Sequence, residues 1–315
     1  MGLFLYLLKI GGMKLNVKNE TSRLRAVVLG IADSEGGVPM ISDAYDPKSI
    51  EHIKAGTYPK EEDMVREIEA VAKVLAKYNV QVYRPDLINN YNQIFTRDIA
   101  FVIDDKFVIS NILPEREQEI TAIQYVIDQI DKEKVIALPE EAHVEGGDVM
   151  VHNDYILVGT YYGEDYADLK TARTNMSAFN HLRELFPHKT VKSFNLKKSN
   201  TDPRENALHL DCCFQPVGKD KAIIYRGGFL IEEEYQWLVN LFGKDNVFEI
   251  TREEMYNMFS NIFSISEEVV ISERNFTRLN TWLRSHGIVV EEVPYAEIAK
   301  QEGLLRCSTL PLIRD

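Results

Sequence analysis

Four stretches of this chain repeat one pattern: a polar cluster, an apolar strand, an acidic or glycine-containing turn, and a second apolar strand. They are "FTRDIAFVIDDKFVISN" (95–111), "VEGGDVMVHNDYILVGT" (144–160), "HLDCCFQPVGKDKAIIY" (209–225) and "NIFSISEEVVIS" (261–272). Spaced self-similarity governs the choice of fold more than any single element does. The turns "DDK", "ND" and "GKD" carry hairpin chemistry, and the Val, Ile, Phe and Tyr around them are strand formers. "RLRAVVLG" (23–30) reads as a fifth, weaker member, one strand without an evident partner.

Helical periodicity fills the intervals. "PKEEDMVREIEAVAKVLAKYNV" (59–80) sets Met64, Ile68, Val71, Val74 and Leu75 on one face, with acids in its first turn and lysines in its last. "EREQEITAIQYVIDQI", "TNMSAFNHLRELF", "EEEYQWLVNLF" and "RNFTRLNTWLRSHG" have the same character, the last stopping at Gly287. The unit is therefore strand, strand, helix, strand, repeated at intervals of roughly 50 residues. No Pro/Gly/Ser-rich linker interrupts it, so a single α/β domain is expected over residues 13–315. Residues 31–60, with Gly36, Gly37, Pro39, Pro47 and Pro59, read as a long loop of the kind that forms lids.

Composition bounds the partners. With 315 residues, 45% of them hydrophobic, the chain can bury one large core. The net charge of −13 argues against nucleic acid, since Lys and Arg cluster only as the short run Lys197–Lys198, and weakly favours a cationic substrate. Three cysteines, two of them the adjacent Cys212 and Cys213, indicate no disulfide framework and point to a reducing cytoplasm. "LFLYLL" near the start is too short to span a bilayer and follows no basic residue. Residues 1–12 read as a tail outside the fold, with Met13 as the working start and a short membrane anchor as the alternative.

The polar clusters carry the chemistry. If the hairpins are equivalent modules around a centre, then Asp98, Glu145 with Asp148, and His209 with Asp211 point to a common place. Gly146 and Gly147 permit a sharp turn that presents Glu145 inward. "HLD" is read as an alternating strand with His209 and Asp211 on one face. His-x-Asp alone is a weak metal signal, and the chemical reading is a proton-transferring histidine beside a carboxylate that binds a cation. Cys212 and Cys213 are read as core, whereas Cys307, between Arg306 and Ser308, has a neighbouring cation that favours thiolate.

Taken in order along the chain, "NQIFTRD", "EGGDVM", "HLD" and "RCSTLPLIRD" resemble the guanidino-group-modifying enzymes: arginine deiminases, dimethylarginine dimethylaminohydrolases and amidinotransferases. The resemblance implies a five-bladed α/β propeller, the pentein fold, with a central channel and a covalent thiol mechanism without metal or organic cofactor. It assigns Cys307 as nucleophile, His209 as general acid/base and Glu145 as the acid supporting protonation of the histidine. Asp98 and Asp211 become the carboxylates that grip a guanidinium, a planar cation suited to forked pairing. Asn92, Phe95 and Arg116 match channel positions, and Arg173 matches a second arginine for a substrate carboxylate. Arg97 is left as a surface ion pair. Asp211 stands where dimethylarginine enzymes tend to have Lys, which disfavours that branch. Arg306 replaces a histidine frequent in deiminases, and "YYGEDYADLKT" before Arg173 is closer to amidinotransferases.

The expectation is a cytoplasmic, arginine-deiminase-like hydrolase of a guanidino or ureido carbon, acting on a small cationic substrate without nucleic acid or membrane partner. A homodimer is left open. The rival reading is an amidinotransferase that passes the amidino group to an amine, and from another class a non-catalytic propeller that binds a partner.

Overall fold

The computed structural model describes residues 12–163 and 169–315. The expected tail at residues 1–12 therefore lies outside the described residues but for its last, as does the middle of the "YYGEDYADLKT" segment.

Fifteen short strands form five three-stranded sheets. β1 (Leu24–Leu29) runs parallel to β2 (Gln81–Tyr83). β3 (Ala100–Ile103) and β4 (Lys106–Ile109) form a hairpin, and β5 (Val135–Ala137) returns parallel to β4. The arrangement recurs in β6 (Val149–His152), β7 (Tyr155–Thr160) and β8 (Thr190–Asn195). It recurs again in β9 (Phe214–Val217), β10 (Lys221–Ile224) and β11 (Val247–Glu249), and in β12 (Phe263–Ser266), β13 (Val269–Glu273) and β14 (Val289–Val293). The turns tighten on residues that tolerate positive φ, among them Asp104, Asn153 and Gly218.

The partner that β1 lacks in the local sequence comes from the far end of the chain. β15 (Thr309–Arg314) pairs antiparallel with β1, Leu29 opposite Thr309 and Val27 opposite Pro311. The first module is thus split between the two ends and still has the order of the other four.

The apolar residues pack between modules. One cluster joins Val28 and Leu310 to Phe107 and Ile123, a second joins Val108 to Val158 and Leu182, and a third joins Leu157 to Phe214 and Leu238. The fourth runs from Ile223 through Phe263 and Ile271 to Val27 and Met64, so the last module meets the first. Each module covers the exposed face of the next, and the ring closes into a five-module α/β propeller. No helix among the described residues is long and apolar enough to cross a membrane.

Four of the five expected helices form: α2 (Glu61–Lys77), which follows α1 (Pro47–Ala55), then Met176–Leu185, Glu232–Phe242 and Thr277–Ser285, with Gly287 at φ 78 just beyond the last. The fifth differs: Pro114–Ile123 is a 3₁₀ helix, followed by one α turn at Gln124–Ile127. A 3₁₀ helix eclipses residues three apart. Here that aligns Arg116 with Glu119, both buried and paired at 2.6 Å. The expected loop at 31–60 contains a helix, α1 (Pro47–Ala55), capped by Asp46, whose carboxylate accepts from Ser49 N at 2.7 Å.

Candidate functional site

Just before the first strand of three of the four complete hairpins the backbone makes one helical turn: Thr96–Ile99, Gly146–Asp148 and Leu210–Cys212. The "HLD" segment is therefore not a strand. His209 caps a 3₁₀ turn in extended conformation, and Asp211 lies inside that turn. A strand would have placed both side chains on one face; the turn instead sends His209 to Glu145 and Asp211 to Cys307. The turn forms because Asp148 accepts the Leu210 N–H at 2.8 Å, a partner on another module that sequence periodicity does not register.

The residues proposed from sequence meet in two linked groups. In the first, His209 Nε2 lies 2.7 Å from Glu145 Oε2, and Nδ1 lies 3.7 Å from Asp98 Oδ1. Arg116 Nη1 donates to Asp98 Oδ2 at 2.8 Å, and Arg173 Nη1 donates to both Glu145 oxygens at 3.1 and 3.0 Å. In the second group Cys307 Sγ lies 3.6 Å from Asp211 Oδ2 and 3.1 Å from Asn261 Nδ2. Arg306 joins the two, donating to Asp211 Oδ2 at 2.8 Å and to the Gly147 carbonyl at 3.3 Å. Gly147 itself is squeezed: a Cβ there would lie 2.6 Å from His209 Nδ1 and 3.0 Å from Asp98 Oδ1. Any side chain at this position would push the imidazole and the carboxylate apart.

Burial sets the electrostatics. Cys307, His209, Asp98, Glu145 and Asp211 are at most 3% exposed. Burial works against the charged histidine, but Asp98 and the hydrogen bond that the ring donates to Glu145 outweigh it and raise the His209 pKa to about 9. Burial also opposes the Glu145 carboxylate, yet Arg173 and His209 hold it well below the usual carboxylate range. The Cys307 thiol is pushed far up by burial and then by the Asp211 and Asp98 carboxylates. The cluster thus holds a neutral thiol beside Asp211 and a protonated imidazole between Glu145 and Asp98.

Two carboxylate oxygens in this cluster are short of donors. Among the described residues Asp98 Oδ1 is buried without a hydrogen-bond partner, His209 Nδ1 standing off at 3.7 Å, and Asp211 Oδ1 meets only the Cys212 thiol at 3.8 Å. Such oxygens are costly to leave unpaired. Asp98, Glu145 and His209 also bring three ligand atoms within 4.8 Å of one another, a spacing that could hold a metal ion. Arg116 and Arg173 already neutralise both carboxylates of that set, so it is charge-balanced without a cation.

The remaining expected residues sit around this centre. Phe95 lies under the segment leading to Cys307, where a Cβ on Gly303 would come within 2.3 Å of its ring. Asn92 donates to Gln301 at 2.7 Å and, with Tyr45, Arg116 and Glu119, lines a cavity of 340 Å³. Arg116 and Arg173, expected at a substrate carboxylate, pair with acids of the protein itself; Arg173 also donates to the Tyr45 carbonyl at 2.8 Å. That bond ties the residue just ahead of Asp46 and α1 to the arginine that holds Glu145. Arg97 is not a surface ion pair: it is buried, with Nη1 3.7 Å from Glu20. Cys212 and Cys213 are buried and free, as expected of core residues.

Sequence reasoning did not single out Asn261, Glu20 or Tyr45, nor give Arg306 a structural role. Asn261 heads the fourth repeated stretch, where the other modules carry Asp98, Asp148 and Asp211, so its position was a usable signal. It accepts the Arg306 and Cys307 N–H groups at 3.0 and 3.1 Å and fixes the backbone at the thiol. Glu20, paired with Arg306 at 3.2 Å, had no local signal.

A family model described as N,N dimethylarginine dimethylhydrolase, eukaryotic, matches residues 48–314. An uncharacterized protein of Bacillus subtilis, YkgA, is 29% identical over 248 residues, 78% of each chain. The arginine deiminase of Limosilactobacillus fermentum is 26% identical over 277 residues, and the match spans 71% of this chain but 62% of that one. Among solved structures, the N-terminal domain of ArgZ, an arginine dihydrolase of cyanobacteria bound to product, superposes with a TM-score of 0.75 at 17% identity, covering 92% of this chain and 97% of that one. The inosamine-phosphate amidinotransferase StrB1 of Streptomyces griseus gives 0.71 at 14% identity, covering 95% and 97%. Both share the pentein fold. The family match runs to the branch that Asp211 was expected to disfavour, because one position weighs little against agreement along most of the chain.

Proposed function

Because the chain belongs to the N,N dimethylarginine dimethylhydrolase family of the guanidino-group-modifying superfamily, we propose that it hydrolyses the guanidino carbon of arginine or a related compound through a covalent adduct on Cys307. The observation that carries this reading is the pair of donor-poor oxygens, Asp98 Oδ1 and Asp211 Oδ1, beside a buried thiol. A guanidinium supplies N–H groups in one plane for these two oxygens, whose carboxylates already meet Arg116 and Arg306 through their other oxygen.

Its arrival changes the thiol. Asp211 and Asp98 hold the Cys307 proton on when no cation is bound, and a cation between them removes that restraint, so the thiol releases its proton to solvent and the thiolate forms where it is needed. Sulfur then attacks the central carbon to form a tetrahedral adduct. The carbon–nitrogen bond breaks as His209, protonated at neutral pH, gives its proton to the departing ammonia or amine. Glu145 keeps the imidazole oriented and stabilises its charge. Water, deprotonated by the now neutral His209, attacks the thiouronium carbon; collapse expels the thiolate and leaves a ureido product.

The test incubates the protein with arginine and with dimethylated arginine, with and without glycine as acceptor. Release of ammonia or dimethylamine with a ureido product is expected, and Cys307→Ala is expected to lower turnover by roughly 10³-fold or more. Mass spectrometry of protein quenched during turnover is expected to find the added mass on Cys307. Unaltered turnover by the Ala variant overturns the covalent reading, while a new guanidino product formed only with glycine favours amidino transfer instead.

A further inference from the structure

A cavity of 380 Å³ lies outside the catalytic cluster, where α1 meets the segment from Ala296 to Leu304. One wall is the stacked pair Phe259 and Phe276, with ring centroids 3.9 Å apart. Lys48, His52 and Lys300 supply basic groups to the opposite side. Two of these are already engaged: Lys300 pairs with Glu297 at 2.7 Å, and His52 turns to Thr57 at 2.8 Å. The one acid on the wall, Glu273, accepts from Asn275 N and Nδ2, the latter at 2.9 Å.

Lys48 is different. It is 3% exposed, yet it forms no ion pair within 4.0 Å among the described residues. Its ammonium donates to the Tyr256 carbonyl and stands 4.4 Å from the centroid of the Tyr256 ring. With a carbonyl and a ring face as its direct contacts, and the carboxylates of Glu302, Asp46 and Glu51 acting from beyond ion-pair distance, the ammonium is incompletely compensated, and burial lowers its pKa to about 8 against their pull. An ammonium in want of an anion at one end and an aromatic wall at the other define the complement: an anionic head on an apolar body.

We propose that this cavity binds a small carboxylate with an aromatic or aliphatic body, the carboxylate paired with Lys48 and the body against Phe259 and Phe276. The site is separate from the guanidino chemistry and does not rest on it. It does touch the same machinery, because the Lys48 backbone N–H donates to Glu302 at 3.3 Å and Leu304 lies three residues before Cys307. A bound ligand would tie α1 to the segment that carries the thiol.

Calorimetric titration of the full chain with phenylacetate tests the assignment, with glutarate and inorganic phosphate as comparison probes. Saturable binding of one phenylacetate per chain is expected, with phosphate weaker. Lys48→Met is expected to weaken it by more than about tenfold. Ala296→Trp, at the exposed rim, is expected to block it without disturbing Lys48, and Cys307→Ala is expected to bind as the unaltered chain does. Absence of phenylacetate binding, or binding unchanged in both Lys48→Met and Ala296→Trp, overturns the site. Phosphate binding as tightly as phenylacetate overturns the apolar body.

Discussion

Gly147→Ala isolates what a single methyl group does to the centre. The added Cβ would lie 2.6 Å from the imidazole, closer than real contacts allow, so His209 must move away from Glu145 or Asp98. Misplacement of a reacting group by about 1 Å costs on the order of 10²-fold in rate, and a loss of that size in kcat is expected with near-native circular dichroism. His209 also makes stability depend on pH. Its folded pKa is raised to about 9, so its contribution is full below the ordinary value of 6.5 and is lost as pH rises through about 9. Urea midpoints are expected to fall over that window by the equivalent of roughly 3 kcal/mol, and His209→Gln is expected to flatten the slope. Local sequence drew attention to Glu145 through its glycines and to Cys307 through its basic neighbour, whereas the alternation read at His209 gave way to a turn. Arg306 and Glu20 gave no such signal, since their partners are remote in sequence, 95 residues apart for Arg306 and Asp211 and 286 for Arg306 and Glu20.

Among the elements, α1 joins most tightly to the centre. Its first turn is capped by Asp46, the carbonyl of Tyr45 just ahead of it holds Arg173, and Arg173 in turn holds Glu145. Asp46→Ala is expected to cost about 1 kcal/mol of stability and to speed amide hydrogen exchange across residues 31–60. A raised KM with a smaller change in kcat would accompany it, because the tie from Tyr45 to Arg173 and not the chemistry is loosened. Periodicity found the amphipathic α2 readily, since five apolar positions repeat along one face. It missed α1 because prolines and glycines surround a helix of nine residues. It also mistook Pro114–Ile123 for an α-helix, where the demand to pair Arg116 with Glu119 at the centre selects the tighter 3₁₀ winding.

At the scale of the whole molecule, the repeated hairpins announced modules but not the ring. Closure depends on β15 completing the sheet that β1 begins, a pairing across nearly the full length of the chain. A chain ending at Thr309 retains Cys307 but loses the rest of β15, and it is expected to show no single cooperative urea transition by circular dichroism. That pairing also orders events during synthesis. Cys307 stands two residues ahead of the strand that completes the first sheet, so the proposed reactive side chain and the closure of the ring become available together, after the other four sheets have all their strands.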